Sequence, residues 1–527
     1  MKKSYLSLML TTCLALGITS CEDRLDILKH GNMGSKETFY QTDEEAEQAL
    51  AALHISFRAN HFNWFFVKNL LADDVWCGGG SRGDNAQMEK LNEYTFGTDH
   101  NLVQNVYVNL YNIICPIREV AINLIIEHVK PNTPNMRRDI AEARFFRAWA
   151  NFELVTLWGT APIVDHLLKP REYRPGNATT EALWAFVESD LKAAIGTGEL
   201  PSKHDVNDAE TGIRITKETA QAYLGKTFLF QGKYAEAAQM LDNVILSGKY
   251  ALFTGEYDLL LHAVNNNCCE DLLEAQLRND PEQAWKQMTM LYLMQGWRTD
   301  KLLYSGQAAT EIATGTYGFL NPRKALYDAF VAEEGTNGYR LNSTLRTYEQ
   351  MKAYGINIQP GAFVYGNEGY FMWKTRPLKA DCIIDAPYFQ GLQYTNPRVM
   401  RYAEVLLMAA EAHLQAGNPG KALDYVNQIR KRAKLSPLTT LTLEDIKKEK
   451  RLELCMESVR YQDLVRWGDT KKVLGKQGAQ IPSLTVNGVQ WGFKNSTYGF
   501  RDRNKLLPIP LKETELNPNI SQNEGWK

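Results

Sequence analysis

The 527 residues contain no HExxH motif and no aspartate-rich calcium loop, which removes the common short signatures of zinc proteases and calcium sites. An excess of charge is missing too. The 59 Lys and Arg against 61 Asp and Glu leave a formal net charge of −2, whereas a nucleic-acid partner calls for a basic surface. The 9 histidines are scattered and the cysteines form no CxxC pair, so neither set supports a metal site and no cofactor is implied. Gly78-Gly79-Gly80 invites a phosphate-loop reading that fails, because no Gly-Lys-Ser/Thr follows and no strand clearly precedes it. Beyond the first twenty residues no apolar run is long enough to cross a bilayer. A chain of this size buries a large core without disulfide staples. Cys77, Cys115, Cys268, Cys269, Cys382 and Cys455 are therefore expected to be mostly buried free thiols.

The start of the chain is a targeting segment rather than fold. Lys2 and Lys3 precede an apolar stretch from Leu6 to Leu16, and Ile18-Thr19-Ser20-Cys21 then offers a small-residue cleavage site ending in cysteine. That ending resembles a bacterial lipobox, with Cys21 as the residue that receives lipid and residues 1–20 as the signal; an ordinary secretory signal with a coincidental cysteine is the alternative. Several acyl chains, at about 0.8 kcal/mol per buried methylene, hold a soluble domain firmly to a bilayer. Loss of Lys2 and Lys3 takes the formal charge of the mature chain from −2 to −4.

The stretch that organises the remainder runs from Arg401 to Lys434. Tyr402, Val405, Leu406, Ala409 and Ala410 recur at helical spacing, Gly417-Asn418-Pro419-Gly420 breaks the run, and Ala422, Leu423, Val426 and Ile429 resume it. Glycine closes one helix and proline opens the next. A shift of about 185 residues lays Ala222, Leu224, Leu229, Gly232, Ala237, Leu241 and Val244 over the same pattern. Both copies read as tetratricopeptide-like helical hairpins, and two cannot bury a solenoid core alone, so further pairs of drifted sequence are expected.

Elsewhere, Thr42 with Glu45 three residues later forms a capping box for a helix through Ala46, Leu50 and Leu53 toward His54. A second helical run spans about 101 to 128. Ala141 to Trp158 is apolar on most of its circumference except for Arg144, Arg147 and Asn151, whose arginines should be paired inside. Residues 60–97 and 251–397 read as loop-rich, the latter carrying many aromatics, among them Trp285, Tyr292 and Trp297. Near the end, Glu449, Glu453 and Glu457 at four-residue steps precede Arg460, Asp463 and Arg466. Paired carboxylates for acid and base work are one reading; a partly buried ion-pair ladder locking helices together suits the sign alternation better.

At these residues the sequence resembles the SusD/RagB family of outer-membrane nutrient-binding lipoproteins. The resemblance rests on the lipobox at Cys21, on Ala141 to Gly159, on Arg401 to Ala412, on Glu449 to Gly468, and on the ending Leu507-Pro508-Ile509-Pro510 with Asn517-Pro518 and Gln522-Asn523. Lys450 stands where arginine is usual and Ser458 where glycine is usual. The resemblance implies a mostly α, single SusD-like domain over residues 21–527. In it about four tetratricopeptide-like helix pairs, mainly 40–60, 100–250 and 398–470, carry a large irregular loop-rich half. It also implies a lipid anchor in the outer membrane facing the exterior, and a SusC-like TonB-dependent transporter as partner. The ligand it implies is an oligosaccharide or, in some members, a peptide.

The residues themselves agree with capture. Sugars present flat C–H faces ringed by hydroxyls, and a shallow platform of Trp and Tyr with polar neighbours binds them. The candidate platforms are Trp76, Trp285, Tyr292 and Trp297, with Asp73, Arg82 and Asp84 as hydroxyl partners. Any of the rings could instead serve packing, and Arg82 and Asp84 could pair with each other. A glycosidase hiding two carboxylates and a purely structural surface scaffold are the rivals.

Overall fold

The structure is a computed structural model that describes residues 39–114, 122–284, 286, 290–383 and 391–527. Cys21, Cys115 and Trp285 lie outside those residues. Helix α1, Asp43–Leu70, opens on the expected capping box: Thr42 Oγ1 accepts the Glu45 N–H at 3.2 Å, and the Glu45 carboxylate accepts the Thr42 N–H at 3.1 Å. It continues sixteen residues past His54, which corrects the loop reading for its part of 60–97. The reason is local. No Gly or Pro interrupts residues 43–70, and Phe57, His61, Trp64, Phe65 and Lys68 bury one helical face despite the unusual density of rings. Strand β1, Val75–Gly78, and helix α2, Ala86–Asn92, shorten the remaining loop further.

Helix α3, Asn101–Ile114, buries Val103, Val106, Leu110, Ile113 and Ile114, and α4 covers Ile122–His128. Helix α5, Pro134–Trp158, is capped by Thr133 and stopped by Gly159, whose φ is +73° and where a Cβ would strike the Leu506 side chain. Its arginines are paired inside: Arg147 Nε and Nη2 meet Asp190 of α6, Thr180–Gly196, at 2.7 and 2.8 Å, and Arg144 Nη1 reaches the same carboxylate at 2.9 Å.

The repeated hairpins are α7, Lys217–Phe230, with α8, Tyr234–Leu246, and α10, Tyr402–Gln415, with α11, Pro419–Arg432; the short helix α9, Lys324–Glu334, lies between them in sequence. The matched glycines Gly232 and Gly417 both take positive φ, +72° and +84°, so the repeated letter marks a repeated backbone conformation. Gly225 lets α7 and α8 close, since a Cβ there would lie 2.7 Å from Leu241 Cγ. The hairpins then pack on each other, with Asp242 of α8 lying 3.0 Å from His413 Nε2 and accepting the Tyr425 hydroxyl at 2.7 Å. The pairs α1 with α3 and α5 with α6 complete the helical scaffold.

The stretch expected to be irregular, 251–397, has a core of its own. Strand β2, Asp271–Glu274, pairs antiparallel with β5, Arg398–Arg401, which runs straight into α10. Strand β3, Phe319–Pro322, pairs with β1, and β4, Phe363–Tyr365, lies beside β6, Gln480–Thr485, which pairs with β7, Gly488–Lys494. Leu302–Tyr304 pairs with Ile356–Ile358 and Leu345–Thr347 with Tyr370–Met372. Trp297, Met351, Ile356, Val364, Phe371 and Trp373 bury together at the centre of these short pairs. Each such side chain contributes about 1.5–3 kcal/mol when fully buried, which explains why segments this short hold their register.

The acidic helix is the lock between the two halves. Helix α12, Leu443–Leu454, and the turn after it place Glu449, Glu453 and Glu457 at 1%, 0% and 10% exposure. Arg340 meets Glu449 at 2.7 Å and Glu453 at 3.2 Å, while Arg401 meets Glu453 and Glu457 each at 2.7 Å. Lys374 reaches Glu457 at 2.7 Å and Arg432 reaches Glu270 at 2.8 Å. Burial alone would raise the Glu453 carboxyl, but Arg432, Arg401 and Arg340 outweigh it and hold it far below the usual carboxylate range. Lys450 keeps the contact expected of an arginine, 2.8 Å from Asp463 of α13, Arg460–Trp467. Ser458 sits at φ +66°, the reason glycine is preferred there; its Oγ accepts from Asn69 Nδ2 at 2.9 Å, a buried hydrogen bond that offsets part of the strain.

Removing one member of this lattice leaves buried charge unmatched. Arg401→Met is expected to cost about 3–5 kcal/mol in urea denaturation. Lys505→Ala, which breaks an exposed pair with Asp502, should cost less than about 0.5 kcal/mol.

Candidate functional site

The glycine run after β1 does its work through geometry. A strand does lead into it, contrary to the sequence reading, yet the glycines pack against protein rather than cradle an anion. Gly78, at φ +78°, lies against the Gly318 carbonyl, and a Cβ on Gly79, at φ +96°, would enter the Phe319 ring at 2.8 Å. The chain therefore turns tightly off the β1–β3 pair and presents residues 80–84 at the surface. Asp84 ties the loop off by accepting the Gly80 N–H at 2.7 Å, and Arg298 Nη1 approaches the same oxygen at 3.5 Å.

Arg82 and Asp84 do not pair with each other. Arg82 donates from Nη2 to Glu93 at 2.9 Å, lies 3.6 Å from Glu89, and lays its guanidinium 4.6 Å over the Phe493 ring. It remains 40% exposed. Burial pushes the Glu89 carboxyl and the neighbouring Tyr365 phenol above their ordinary values. Trp76 roots the loop: its Nε1 donates to Glu368 at 2.8 Å, Arg323 covers one face at 3.7 Å, and its edge meets Trp491 at 6.0 Å between centroids. Only its rim is open, at 7% exposure.

The other candidates lie elsewhere. Asp73 is buried against Arg460 at 2.8 Å and Arg451 at 3.0 Å, and those two cations, overriding burial, hold its carboxyl at about 2. It belongs to the buried ion lattice rather than to a set of hydroxyl partners. Tyr292 is buried, donates to the Asn396 carbonyl at 3.3 Å, and borders an internal cavity of about 30 Å³, too small for a sugar ring. Trp297 is 1% exposed, stacks on Trp373 at 6.0 Å and donates Nε1 to the Met372 carbonyl. Its place is the second core. Arg82, Asp84 and the rim of Trp76 are the candidates that share one surface.

The residues that complete this surface were not among the candidates. On β7, Val489, Trp491 and Phe493 alternate onto one face, and Trp491 and Phe493 are 44% and 38% exposed. Tyr498 packs on Phe493 at 5.6 Å. The signal was present: Asn487-Gly488 between alternating apolar residues is the strongest short-range mark of a hairpin. Beyond Glu368, Tyr327 and Tyr370 stack at 4.5 Å, both half-exposed. The crevice between Trp76, Glu89 and Tyr365 has a volume of about 10 Å³, so the site is an open, ring-lined face and not a pocket. Such a face suits a ligand that lies along the surface and offers flat apolar patches with hydroxyls at their margins. Among the described residues no group of three or more His, Cys, Asp or Glu side chains is arranged to hold a metal.

Trp76 and Trp491 differ in what they support. Trp76→Ala is expected to cost about 3 kcal/mol by emptying a packed position, and Trp491→Ala less than about 1 kcal/mol, both read from chemical denaturation.

Comparison with known proteins adds a second line of evidence. A family model described as the SusD family matches residues 278–526, and one described as starch-binding, associating with the outer membrane, matches 75–229. A SusD-like protein of Bacteroides ovatus is 26% identical across 88% of this chain and 82% of its own length. The starch-binding protein SusD of Bacteroides thetaiotaomicron is 24% identical across 74% of this chain and 73% of its own. Among solved structures, a laminarin-binding SusD-like protein superposes with a TM-score of 0.76 at 26% identity, covering 92% of this chain and all of that one. Surface glycan-binding protein A from Bacteroides thetaiotaomicron, in complex with laminarihexaose, shares the fold at a TM-score of 0.71 and 22% identity, covering 91% of this chain and 99% of its own.

Proposed function

Because this chain belongs to the SusD family, we propose that it is a cell-surface lipoprotein that holds carbohydrate on the face formed by Trp491, Phe493, the rim of Trp76 and the loop bearing Arg82 and Asp84. It delivers that carbohydrate to a SusC-like TonB-dependent transporter and breaks no bond in it. The observation that carries the reading is the exposed ring stripe on β7 beside a loop of charged hydrogen-bonding groups. Sugar hydroxyls are satisfied by the forked donors of Arg82 and Arg298 and by the acceptors of Asp84, Asp300 and Glu368, while the rings take the C–H faces. The laminarin-binding and starch-binding relatives support the same ligand class.

Capture without cleavage is favoured by where the carboxylates of the acidic helix are spent. Glu449, Glu453 and Glu457 are each held by arginine or lysine inside the protein, so none is poised to donate a proton to a bound glycosidic oxygen. Attachment through Cys21 supplies the anchor, and the acidic run Glu22-Asp23 behind it fits export to the exterior face of the outer membrane.

Isothermal titration of the purified chain against laminarin-derived and starch-derived oligosaccharides tests the binding claim. Trp491→Ala and Phe493→Ala are each expected to weaken binding about tenfold, or roughly 1.4 kcal/mol, while lowering stability by less than about 1 kcal/mol. No new reducing ends should form. Failure to retain any glycan, or steady release of shorter products, would overturn the reading. Replacing Cys21 by Ser should move the protein from the membrane fraction to the soluble one; continued sedimentation with membranes would contradict lipid anchoring.

A further inference from the structure

Where the chain enters the fold it lies beside a surface loop that carbohydrate capture does not use. Residues 22–38 join Cys21 to Phe39, and the next residue, Tyr40, stacks on His128 at the end of α4 with 6.0 Å between centroids. Glu127 of that helix accepts the Leu167 N–H, and its Asn123 donates to the Val164 and His166 carbonyls at 3.1 and 3.0 Å. One short helix therefore holds both the entry of the tether and the start of the loop.

The loop, Lys169-Pro170-Arg171-Glu172-Tyr173-Arg174, exposes three cations and one ring. Its acids are engaged within it. His166 bridges them, 2.6 Å from Asp165 and 3.1 Å from Glu172, and Glu172 also accepts the Lys169 N–H at 2.9 Å. Among the described residues Lys169 and Arg174 form no ion pair, and Arg171, 79% exposed, only approaches Glu172 at 3.6 Å. The end of the chain completes the patch. Asn517 and Asn519 donate from their side chains to the Pro175 and Arg174 carbonyls, each at 2.7 Å, and a Cβ on Gly176 would lie 3.2 Å from the Asn519 carbonyl oxygen. That seam sets Tyr173, 62% exposed, near Leu516, 72% exposed, on the short helix Leu511–Leu516, which also exposes Lys512 and one acid, Glu515.

We propose that this patch of Lys169, Arg171, Tyr173, Arg174, Lys512 and Leu516 docks on the anionic, phosphate-bearing surface of the membrane that holds Cys21, and so sets how the protein stands on it. The proposal rests on the Cys21 anchor. Two observations select this occupant. Cations ringing an exposed Tyr and Leu match the boundary of a bilayer, where apolar groups enter and charges stay at headgroup level. The tether also enters next to the patch, and residues 22–38 span at most about 60 Å even when fully extended, which keeps the patch close to the bilayer. It shares no residue with the ring-lined face, so the two surfaces can be altered separately.

Residues 22–527 contain every described residue and carry no acyl chain, so they report on the patch alone. They are sedimented with vesicles of phosphatidylcholine, either pure or with about one-third phosphatidylglycerol. Binding to the mixed vesicles is expected at low ionic strength, weakening as salt is added and on removal of the anionic lipid. Arg171→Ala with Arg174→Ala should weaken it roughly 25-fold, about fivefold for each cation, with thermal melting showing that the variant is folded. Leu516→Ser should weaken it further. Undiminished binding by the double arginine variant, or binding that ignores both headgroup charge and salt, would overturn the proposal. Absence from the pellet of the mixed vesicles would overturn it too, and is the result expected if the patch serves a protein partner instead. None of these outcomes depends on lipidation of Cys21, which the fractionation of the Cys21→Ser protein reads by itself.

Discussion

The buried carboxylate of Glu453 is the contact on which the two halves of the molecule depend. It belongs to the helical scaffold, and the arginines around it come from three directions: Arg340 from the loop-rich half, Arg401 from the strand that enters the central hairpin, and Arg432 from the hairpin's second helix. No single pair of that set would offset the cost of burying its own charges. The set does so jointly, because each charge meets more than one partner and the Tyr257 hydroxyl adds a hydrogen bond at 3.0 Å. The result is directional. Helices satisfied by apolar packing could slide, whereas this lattice fixes where the strand pair β2–β5 enters the scaffold.

The ring-lined face inherits that fixed position. Asp73, one residue pair upstream of β1, is clamped by Arg451 and Arg460 from the acidic helix region, and β1 leads directly to Trp76 and the glycine turn. The same β1 pairs with β3, and Arg323 just beyond β3 lies over Trp76. The surface loop therefore hangs from the ion lattice through the four-residue strand β1. Asp73, Gly78 and Gly79 fix where the loop starts, and Asp84 and Arg82, though exposed, close it against Gly80 and Glu93.

How much of this was legible in the sequence depended on the range of the interaction. Helix pairs at 217–246 and 402–432 were readable because apolar spacing and a turn glycine are local properties, and Gly232 and Gly417 proved to share a positive φ. The polar stripe of Arg144 and Arg147 foretold an interior partner, though not that Asp190 would be it. Asp73 was misassigned to the ligand because its partners lie almost 400 residues away, and nothing local distinguishes a clamped aspartate from a free one. Trp297 and Tyr292 were misplaced for a related reason: an irregular sequence full of rings can build a second core as readily as a surface. The β6–β7 hairpin was the reverse case, a local signal at Asn487-Gly488 overlooked beside louder helical ones.

Ring-surface capture makes a spatial claim that hydrogen–deuterium exchange can read directly. With a laminarin-derived oligosaccharide bound, slowed exchange is expected in residues 76–84 and 486–494 together, with the helical hairpins at 217–246 and 402–432 unchanged. Slowed exchange confined to other segments, with those two unaffected at saturating ligand, would contradict it.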